Sequence, residues 1–167
     1  MPRFPVHSVS TAPERSRPIL EQTAKTLGFV PNLFGVLAES PALLKGYTTL
    51  SAIFDQTSLT PTERQVVLLT VSAENGCAYC MAAHTTIARM QGVAEAGIGA
   101  IRQGTEIPEA KLEALREFTL QVVRRRGLAA EKIVQDFLDA GYTTAHVLDV
   151  VLGVGLKTLS NYANHMA

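Results

Sequence analysis

The sequence of 167 residues predicts an all-α fold. Three observations support this prediction. Apolar residues recur at helical spacing, no segment alternates apolar and polar residues as a half-buried strand does, and capping residues or prolines precede the apolar runs that glycines then close. A chain of this length buries roughly two-thirds of the surface that its unfolded form exposes, so it needs no disulfides to fold.

The predicted elements follow one another as helices joined by short turns. Residues 1–16 are rich in Pro, Ser and Thr without periodicity, which predicts an extended N-terminal arm, and 17–167 form a single helical domain. The helical segments are 18–27, a short one after 31, 41–54, 61–75, 77–91, 95–102, 109–126, 130–140 and 144–165. The longer of these segments predict a bundle of about seven or eight helices.

Two helix starts and one weak repeat stand out along the chain. Ser40 is placed as an N-cap, and Thr60 with Glu63 forms a capping box. A shift of the sequence that aligns Cys77 with Thr158 also aligns apolar residues of the preceding segments. The alignment suggests two equivalent helical hairpins about a pseudo-two-fold axis, of which only the first carries thiols.

Composition excludes several classes of protein. Apolar residues make up 47% of the chain, which is too many for a disordered protein, and 15 basic residues balance 15 acidic ones. No overall charge therefore attracts nucleic acid or an anionic membrane. Prolines interrupt any N-terminal signal-peptide core, and the apolar runs are too short to cross a bilayer. We expect a soluble cytoplasmic protein with neither nucleic-acid nor membrane partners.

The chemistry-bearing feature is the pair Cys77 and Cys80, followed by His84. On a helix these three side chains fall within about 60° of arc, so they face the same way. A dithiol at a helix start is suited to redox chemistry, because the free backbone N–H groups there favour thiolate over thiol. A nearby imidazole can take the thiol proton. We therefore expect a redox pair assisted by a histidine.

Zinc coordination is the alternative use of the same side chains. Two thiolates and an imidazole are plausible ligands, but a structural zinc site needs a fourth, usually from a second pair of cysteines or histidines. The remaining histidines are His7, His146 and His165. We therefore favour the redox interpretation and expect no resident metal.

The cysteine motif, with Asn75-Gly76 before it, resembles the carboxymuconolactone decarboxylase and alkylhydroperoxidase D-like superfamily. Segment 29–34 with Ser40-Pro41 and the terminal segment 159–165 are similar to its peroxidase-related branch. The resemblance implies a helical subunit that forms trimers or hexamers and binds no cofactor. It also implies that Cys80 attacks the peroxide, Cys77 resolves the oxidised product and His84 relays protons.

One position departs from the pattern that the resemblance implies. The relay of the superfamily's peroxidases includes a glutamate upstream of the first cysteine, where this chain has Gln65. Glutamine exchanges no proton at working pH. We expect Glu74, which lies just before Cys77, to replace it as a catalytic residue, with Glu63 as the second choice.

Two physical arguments disagree on which thiol reacts first. Cys77 lies closer to the helix terminus, which lowers a thiol pKa within about one turn. Cys80 lies one turn from His84, whereas Cys77 is two turns away. A proton acceptor must come within roughly 3 Å of the thiol or reach it through one water. Proximity therefore favours Cys80 as the nucleophile.

Three functions are compatible with these residues. The first is a thiol-dependent peroxidase or disulfide oxidoreductase that reduces a small hydroperoxide, closes a Cys77–Cys80 disulfide and is reset by an unidentified thiol or dithiol. The second is a decarboxylase-type lyase, which needs cations to hold carboxylates, and only Arg89 lies near the motif. The third is a non-enzymatic helical oligomer that senses oxidants. The first makes the fullest use of the dithiol.

We predict an obligate homo-oligomer. Over 147–156 only Asp149 is polar, so this helix is apolar on more than one side and needs a further partner surface. Sedimentation velocity at micromolar concentration should show a trimer or hexamer. A stable monomer would contradict the prediction.

Overall fold

A computed structural model describes residues 4–167 of the chain. Over that range the chain forms nine α-helices and no β-strand, which confirms the all-α prediction. In chain order the helices are α1 (Arg17–Leu27), α2 (Asn32–Leu37), α3 (Pro41–Phe54), α4 (Pro61–Glu74), α5 (Ala78–Met90), α6 (Glu95–Gln103), α7 (Ala110–Arg124), α8 (Glu131–Asp139) and α9 (Thr144–Met166). The number slightly exceeds the predicted bundle of about seven or eight, because the six-residue α2 forms a helix of its own.

Two helices begin where the capping residues predict. The Thr60 side chain accepts a hydrogen bond from the Glu63 backbone N–H, and the Glu63 carboxylate accepts one from the Thr60 N–H. Ser40 caps α3 by accepting from the Leu43 N–H. Each such cap stabilises its helix by about 1 kcal/mol. Local interactions therefore determine where α3 and α4 begin.

The fourth helix, α4, is the centre of the bundle. Every residue over 65–72 is buried, and α4 packs against α5, α6, α7 and α9. A helix buried on all sides needs apolar residues all round, and four such residues follow one another over 66–69. The end of α4 and the start of α5 are thereby held in a fixed place beside α9.

The last helix, α9, runs for 23 residues along α2, α3, α4, α5 and α7. The prediction of a second helical hairpin is wrong, because such a hairpin would need a turn in the middle of α9 and this helix is continuous. In the first hairpin Gly76 forms that turn with a φ of 66°. The equivalent residue after the same shift is Lys157, which stays helical. A lysine at this position lacks the left-handed preference of glycine, so α9 is not interrupted.

The N-terminal segment lies against α2. The His7 N–H donates to the Gly35 carbonyl at 3.1 Å, and the Ser16 hydroxyl donates to the Ala38 carbonyl at 2.7 Å. A Cβ at residue 35 would lie 2.7 Å from the His7 carbonyl oxygen, so glycine permits this close approach. The first three residues of the predicted arm lie outside the described residues.

Several apolar side chains on α9 face outward. Leu148, Val151, Tyr162 and Met166 are exposed and recur on one side of the helix, where they form an apolar stripe. Within residues 4–167, no helix combines the length and the apolar character that crossing a bilayer requires.

Gly153→Ala is expected to destabilise the fold by about 1–3 kcal/mol. A Cβ at residue 153 would lie 2.8 Å from side-chain atoms of both Phe54 and Val67, so it would force α9 away from α3 and α4. The measurement is urea unfolding followed by circular dichroism.

The matched control for this substitution is Gly155→Ala. Nothing lies within 4 Å of a Cβ at residue 155, and alanine is favoured over glycine in a helix by about 1 kcal/mol. The control should therefore be neutral or stabilising. Equal losses at Gly153 and Gly155 would contradict the close packing.

Candidate active site

The turn between α4 and α5 places both cysteines at the start of a helix. After the left-handed Gly76, the Cys77 N–H donates to the Ser72 carbonyl at 3.0 Å and closes α4. Cys77 is the N-cap residue of α5, and Cys80 lies in its first turn. About one helical turn therefore separates the two side chains.

Both thiols are free and buried between α5 and α9. Cys77 is 2% exposed and Cys80 is 1% exposed. The Asn164 amide nitrogen, from α9, lies 3.2 Å from the Cys80 Sγ and 3.8 Å from the Cys77 Sγ. Because one donor reaches both sulfurs, the two thiols share one small space.

A buried lysine from α9 lies beside this space. Lys157 is 1% exposed, and its Nζ has no hydrogen-bond partner among the described residues. Burial lowers the pKa of Lys157 below its ordinary value, whereas negative charge on Cys80 and Cys77 opposes that shift. An ammonium group removed from water is costly unless it is paired. A thiolate at the cysteines is the partner that this site offers.

The two thiols differ in acidity. Burial by itself would raise the pKa of Cys80, but the charge of Lys157 and hydrogen bonds from Cys77, Asn161 and Asn164 bring it below the ordinary value. Burial raises the pKa of Cys77. A backbone hydrogen bond involving Cys80 and the charge of Lys157 oppose this rise, whereas the side-chain hydrogen bond with Cys80 and the charge of Cys80 add to it. Cys80 is therefore the more acidic of the two thiols and loses its proton before Cys77.

His84 contacts α4 through Gln65. The His84 Nδ1 lies 3.0 Å from the Gln65 Oε1, an oxygen that can only accept, so Nδ1 carries the ring proton and Nε2 is left as an acceptor. Burial and the charge of Lys157 lower the pKa of His84 to about 3. The imidazole is therefore neutral near neutral pH.

The two carboxylates considered for the proton relay have other partners. Glu74 forms a bidentate ion pair with Arg124 of α7, at 2.9 and 3.0 Å. Glu63 closes the capping box and pairs with Lys111 at 3.1 Å. Over residues 4–167, neither carboxylate forms a hydrogen bond with the cysteines or with the motif histidine.

The histidines considered as a fourth zinc ligand are engaged elsewhere. His7 lies 2.7 Å from Glu39, His146 completes the N-terminal capping box of α9, and the exposed His165 stacks on Tyr162. In the part of the chain that the structure describes, no group of three or more histidine, cysteine or acidic side chains is arranged to hold a metal ion.

Residues 41–120, which contain the cysteine motif, match the model of the carboxymuconolactone decarboxylase family. A solved structure described as an alkylhydroperoxidase AhpD core, an uncharacterised peroxidase-related protein from Ralstonia eutropha JMP134, shares the fold with a TM-score of 0.85. The chain is thus similar to the carboxymuconolactone decarboxylase family over residues 41–120, and over nearly its whole length it shares the fold of the alkylhydroperoxidase AhpD core.

The structural similarity extends over nearly the whole chain at low sequence identity. The Ralstonia protein is 24% identical, and the alignment covers 98% of this chain and 88% of that one. A peroxidase-related protein from Silicibacter sp. TM1040 is 20% identical with a TM-score of 0.78, over 99% and 86% of the two chains. The debrominase Bmp8, solved as a cysteine-to-alanine variant with 2,3,4-tribromopyrrole, is 16% identical with a TM-score of 0.80, over 99% and 89%. No curated protein sequence matches the chain.

Sequence reasoning missed the contribution of α9 to this site. Lys157, Asn161 and Asn164 recur at one-turn spacing, and all three act on Cys80. They are polar residues on one side of a largely apolar helix, which is a signal that this side faces a polar group. The signal does not identify that group, because the cysteines lie far away in the sequence.

We expect the free energy of unfolding to decrease as the pH falls from 6.5 to 4.5. His84 takes up a proton at its ordinary pKa of 6.5 in the unfolded chain but only near 3 in the folded one. The unfolded state therefore binds more protons over this interval, and stability rises with pH. The free energy of unfolding is measured by denaturant titration at several pH values. It should change less steeply with pH in His84→Gln than in the parent.

The control for this measurement is His165→Gln, because His165 is exposed near the end of α9. That variant should keep the slope of the parent. The interval stops at 4.5, the ordinary pKa of glutamate, so that carboxylates such as Glu113 contribute little. A parent-like slope in His84→Gln would contradict a neutral buried imidazole.

Proposed function

We propose that the chain is a thiol-dependent peroxidase or disulfide oxidoreductase. The observation that carries the proposal is the pairing of an acidic Cys80 thiol with a second thiol, Cys77, in one buried space beside Lys157. The thiolate is the nucleophilic form of cysteine, and a neighbouring thiol can resolve its oxidised product. Two fold neighbours described as peroxidase-related support the same chemistry.

In the proposed cycle Cys80 attacks a hydroperoxide. Its sulfur bonds to the terminal oxygen as the O–O bond breaks, which leaves a sulfenic acid and an alkoxide or hydroxide that takes up a proton. Cys77 then attacks the Cys80 sulfur, and water departs as the disulfide closes. An external thiol or dithiol returns two electrons and two protons, which restores both cysteines.

His84 is assigned a relay role in this proposal, and Glu74 is not. The His84 Nε2 is the ring atom free to accept a proton, because Nδ1 is directed to Gln65. The low pKa of the ring makes any proton that it accepts short-lived. The Glu74 carboxylate is held by Arg124, so we leave it out of the relay.

Reductive debromination is the second candidate. The fold neighbour that is a debrominase was solved with a brominated pyrrole. The same dithiol can serve this reaction: a thiolate takes the bromine, the ring carbon gains a proton, and the second thiol displaces bromide as the disulfide forms. Bromide release from 2,3,4-tribromopyrrole, without consumption of hydroperoxide, would favour this candidate.

The other two functions are less favoured. For the lyase, Arg89 pairs with Glu95 at the surface, and Lys157, which the fold adds to the site, is placed to act on a thiolate instead of a substrate carboxylate. A sensor would use the same cysteines but would be oxidised once. Repeated turnover with a reductant separates an enzyme from a sensor.

The proposed partners are small molecules and further copies of the chain. Because Cys77 and Cys80 are almost fully buried, a small hydroperoxide and a small dithiol fit the site better than bulky substrates. The apolar stripe of α9 is the surface that we propose to be covered in a homo-oligomer.

The parent protein should consume hydrogen peroxide repeatedly with dithiothreitol or dihydrolipoamide as reductant, and Cys80→Ser should fall to the background rate. The loss follows because serine offers no thiolate. Peroxide remaining in solution is the measurement, with circular dichroism to verify that the variant is folded. A Cys80→Ser variant as active as the parent would defeat the proposal, and a single oxidation without turnover would favour the sensor.

The same variants assign the nucleophile. A dimedone-type probe at neutral pH should label the sulfenic acid of Cys80 in Cys77→Ser, because no thiol is left to resolve it. Cys77 should stay largely unlabelled in Cys80→Ser, since its pKa is raised. The reverse pattern would make Cys77 the nucleophile.

A further inference from the structure

We infer that Lys157 is the proton donor of this site, which protonates the oxygen that leaves when Cys80 attacks a peroxide. The inference rests on the proposed peroxidase function. It assigns to α9 a proton transfer that the two glutamates of α4 are not placed to perform, because Glu63 pairs with Lys111 and Glu74 pairs with Arg124.

The placement of Lys157 is unusual for a structural residue. Its Nζ is buried without a hydrogen-bond partner among the described residues, although lysine is rarely buried unless it is paired. Lys157 lies two turns before Asn164 on the same side of α9, and the Asn164 amide donates to the Cys80 Sγ at 3.2 Å, so the lysine lies on the side of α9 that faces the thiols. Its charge lowers the pKa of Cys80 and of His84. A buried amine on this side of α9 indicates a role in the chemistry of the thiols.

The other groups that face the site are poorer proton donors. His84 of α5 is neutral, and Gln65 of α4 has no titratable proton. Burial and the charge of Cys80 raise the pKa of Tyr47, from α3, to about 12, so its hydroxyl holds its proton tightly. Burial lowers the pKa of Lys157 towards the range in which an acid is effective, and no carboxylate contributes to that shift.

Proton transfer from Lys157 balances the first step. The resting site holds the Cys80 thiolate and the Lys157 ammonium. As the sulfur takes the terminal OH of the peroxide ROOH, the O–O bond breaks and RO⁻ receives a proton from Lys157. The products are the Cys80 sulfenic acid, ROH and a neutral Lys157 amine.

The neutral amine then serves the second step. It can take the thiol proton of Cys77, whose thiolate attacks the Cys80 sulfur, and it returns that proton to the departing hydroxide as water. Lys157 ends this step neutral beside the disulfide. A dithiol reductant supplies two electrons and two protons, which restore the Cys77 thiol, the Cys80 thiolate and the Lys157 ammonium.

The choice of peroxide distinguishes proton donation from thiolate stabilisation. Hydrogen peroxide expels hydroxide, whose conjugate acid is water with a pKa of about 15.7, so departure needs a proton. Peracetic acid expels acetate, a carboxylate that is stable without a proton near neutral pH, as the ordinary pKa of about 4 for carboxyl side chains illustrates. Removal of a proton donor therefore slows the first reaction much more than the second.

The test compares Lys157→Met with the parent in a Cys77→Ser background, where one oxidation stops at the sulfenic acid. Stopped-flow rates with hydrogen peroxide and with peracetic acid are each divided by the Cys80 thiolate fraction, which is obtained from the pH dependence of iodoacetamide alkylation. We expect Lys157→Met to lower the hydrogen peroxide rate by about 100-fold after this correction. The corrected peracetic acid rate should change by less than about threefold, because no acid catalysis is lost.

Two further variants complete the test. Lys157→Arg keeps a positive charge but cannot release a proton, so it should show the same peroxide-selective loss with less change in alkylation. Lys132→Met, at an exposed lysine paired with Asp136, should match the parent. If Lys157→Met lowers the corrected rates with hydrogen peroxide and with peracetic acid equally, Lys157 is not the proton donor, and the proposed peroxidase function still stands. If the parent background forms no sulfenic acid with either peroxide, the proposed peroxidase function fails and the inference fails with it.

Discussion

The burial of an ammonium group beside a thiol is the interaction on which the site depends. Removing either ion from water costs several kcal/mol, and only a close opposite charge recovers that energy. Lys157 and Cys80 are each 1% exposed, so solvent does little to stabilise either charge alone. Each charge therefore favours the other, which makes Cys80 acidic despite its burial.

The fold brings these two groups together through close helix packing. Gly153 lets α9 approach Phe54 of α3 and Val67 of α4, where any larger side chain would collide. Lys157 lies about one turn further along the same side of α9, so this approach directs it towards the start of α5. The turn at Gly76 presents Cys77 and Cys80 from the opposite direction. The rigid core thus positions the reacting groups without the need for a loop.

Because Gln65 on α4 has no titratable proton, a proton donor in this site must come from another helix. Gln65 keeps a contact with His84 but offers no proton, and its Oε1 selects the ring tautomer with the proton on Nδ1. Burial and the charge of Lys157 oppose further protonation of that ring. With both members of this pair neutral, the positive charge of the site is concentrated on α9, directly beside the nucleophile.

Sequence alone determined the features that depend on neighbouring residues. The helical character, the caps at Ser40 and Thr60, and the common face of Cys77 and Cys80 follow from interactions that span about one or two turns. The predicted second hairpin was wrong, because the residue equivalent to Gly76 is Lys157, and α9 continues through it without a turn.

The tertiary structure alone decided what faces the cysteines. Asn164 is separated from Cys80 by 84 positions, and its contact depends on how α9 crosses the bundle. Periodicity shows that one side of α9 is polar, but it contains no information about which distant helix that side meets. The packing of α9 against α4 and α5 determines which helix that side meets, and it brings Lys157, Asn161 and Asn164 to the thiols.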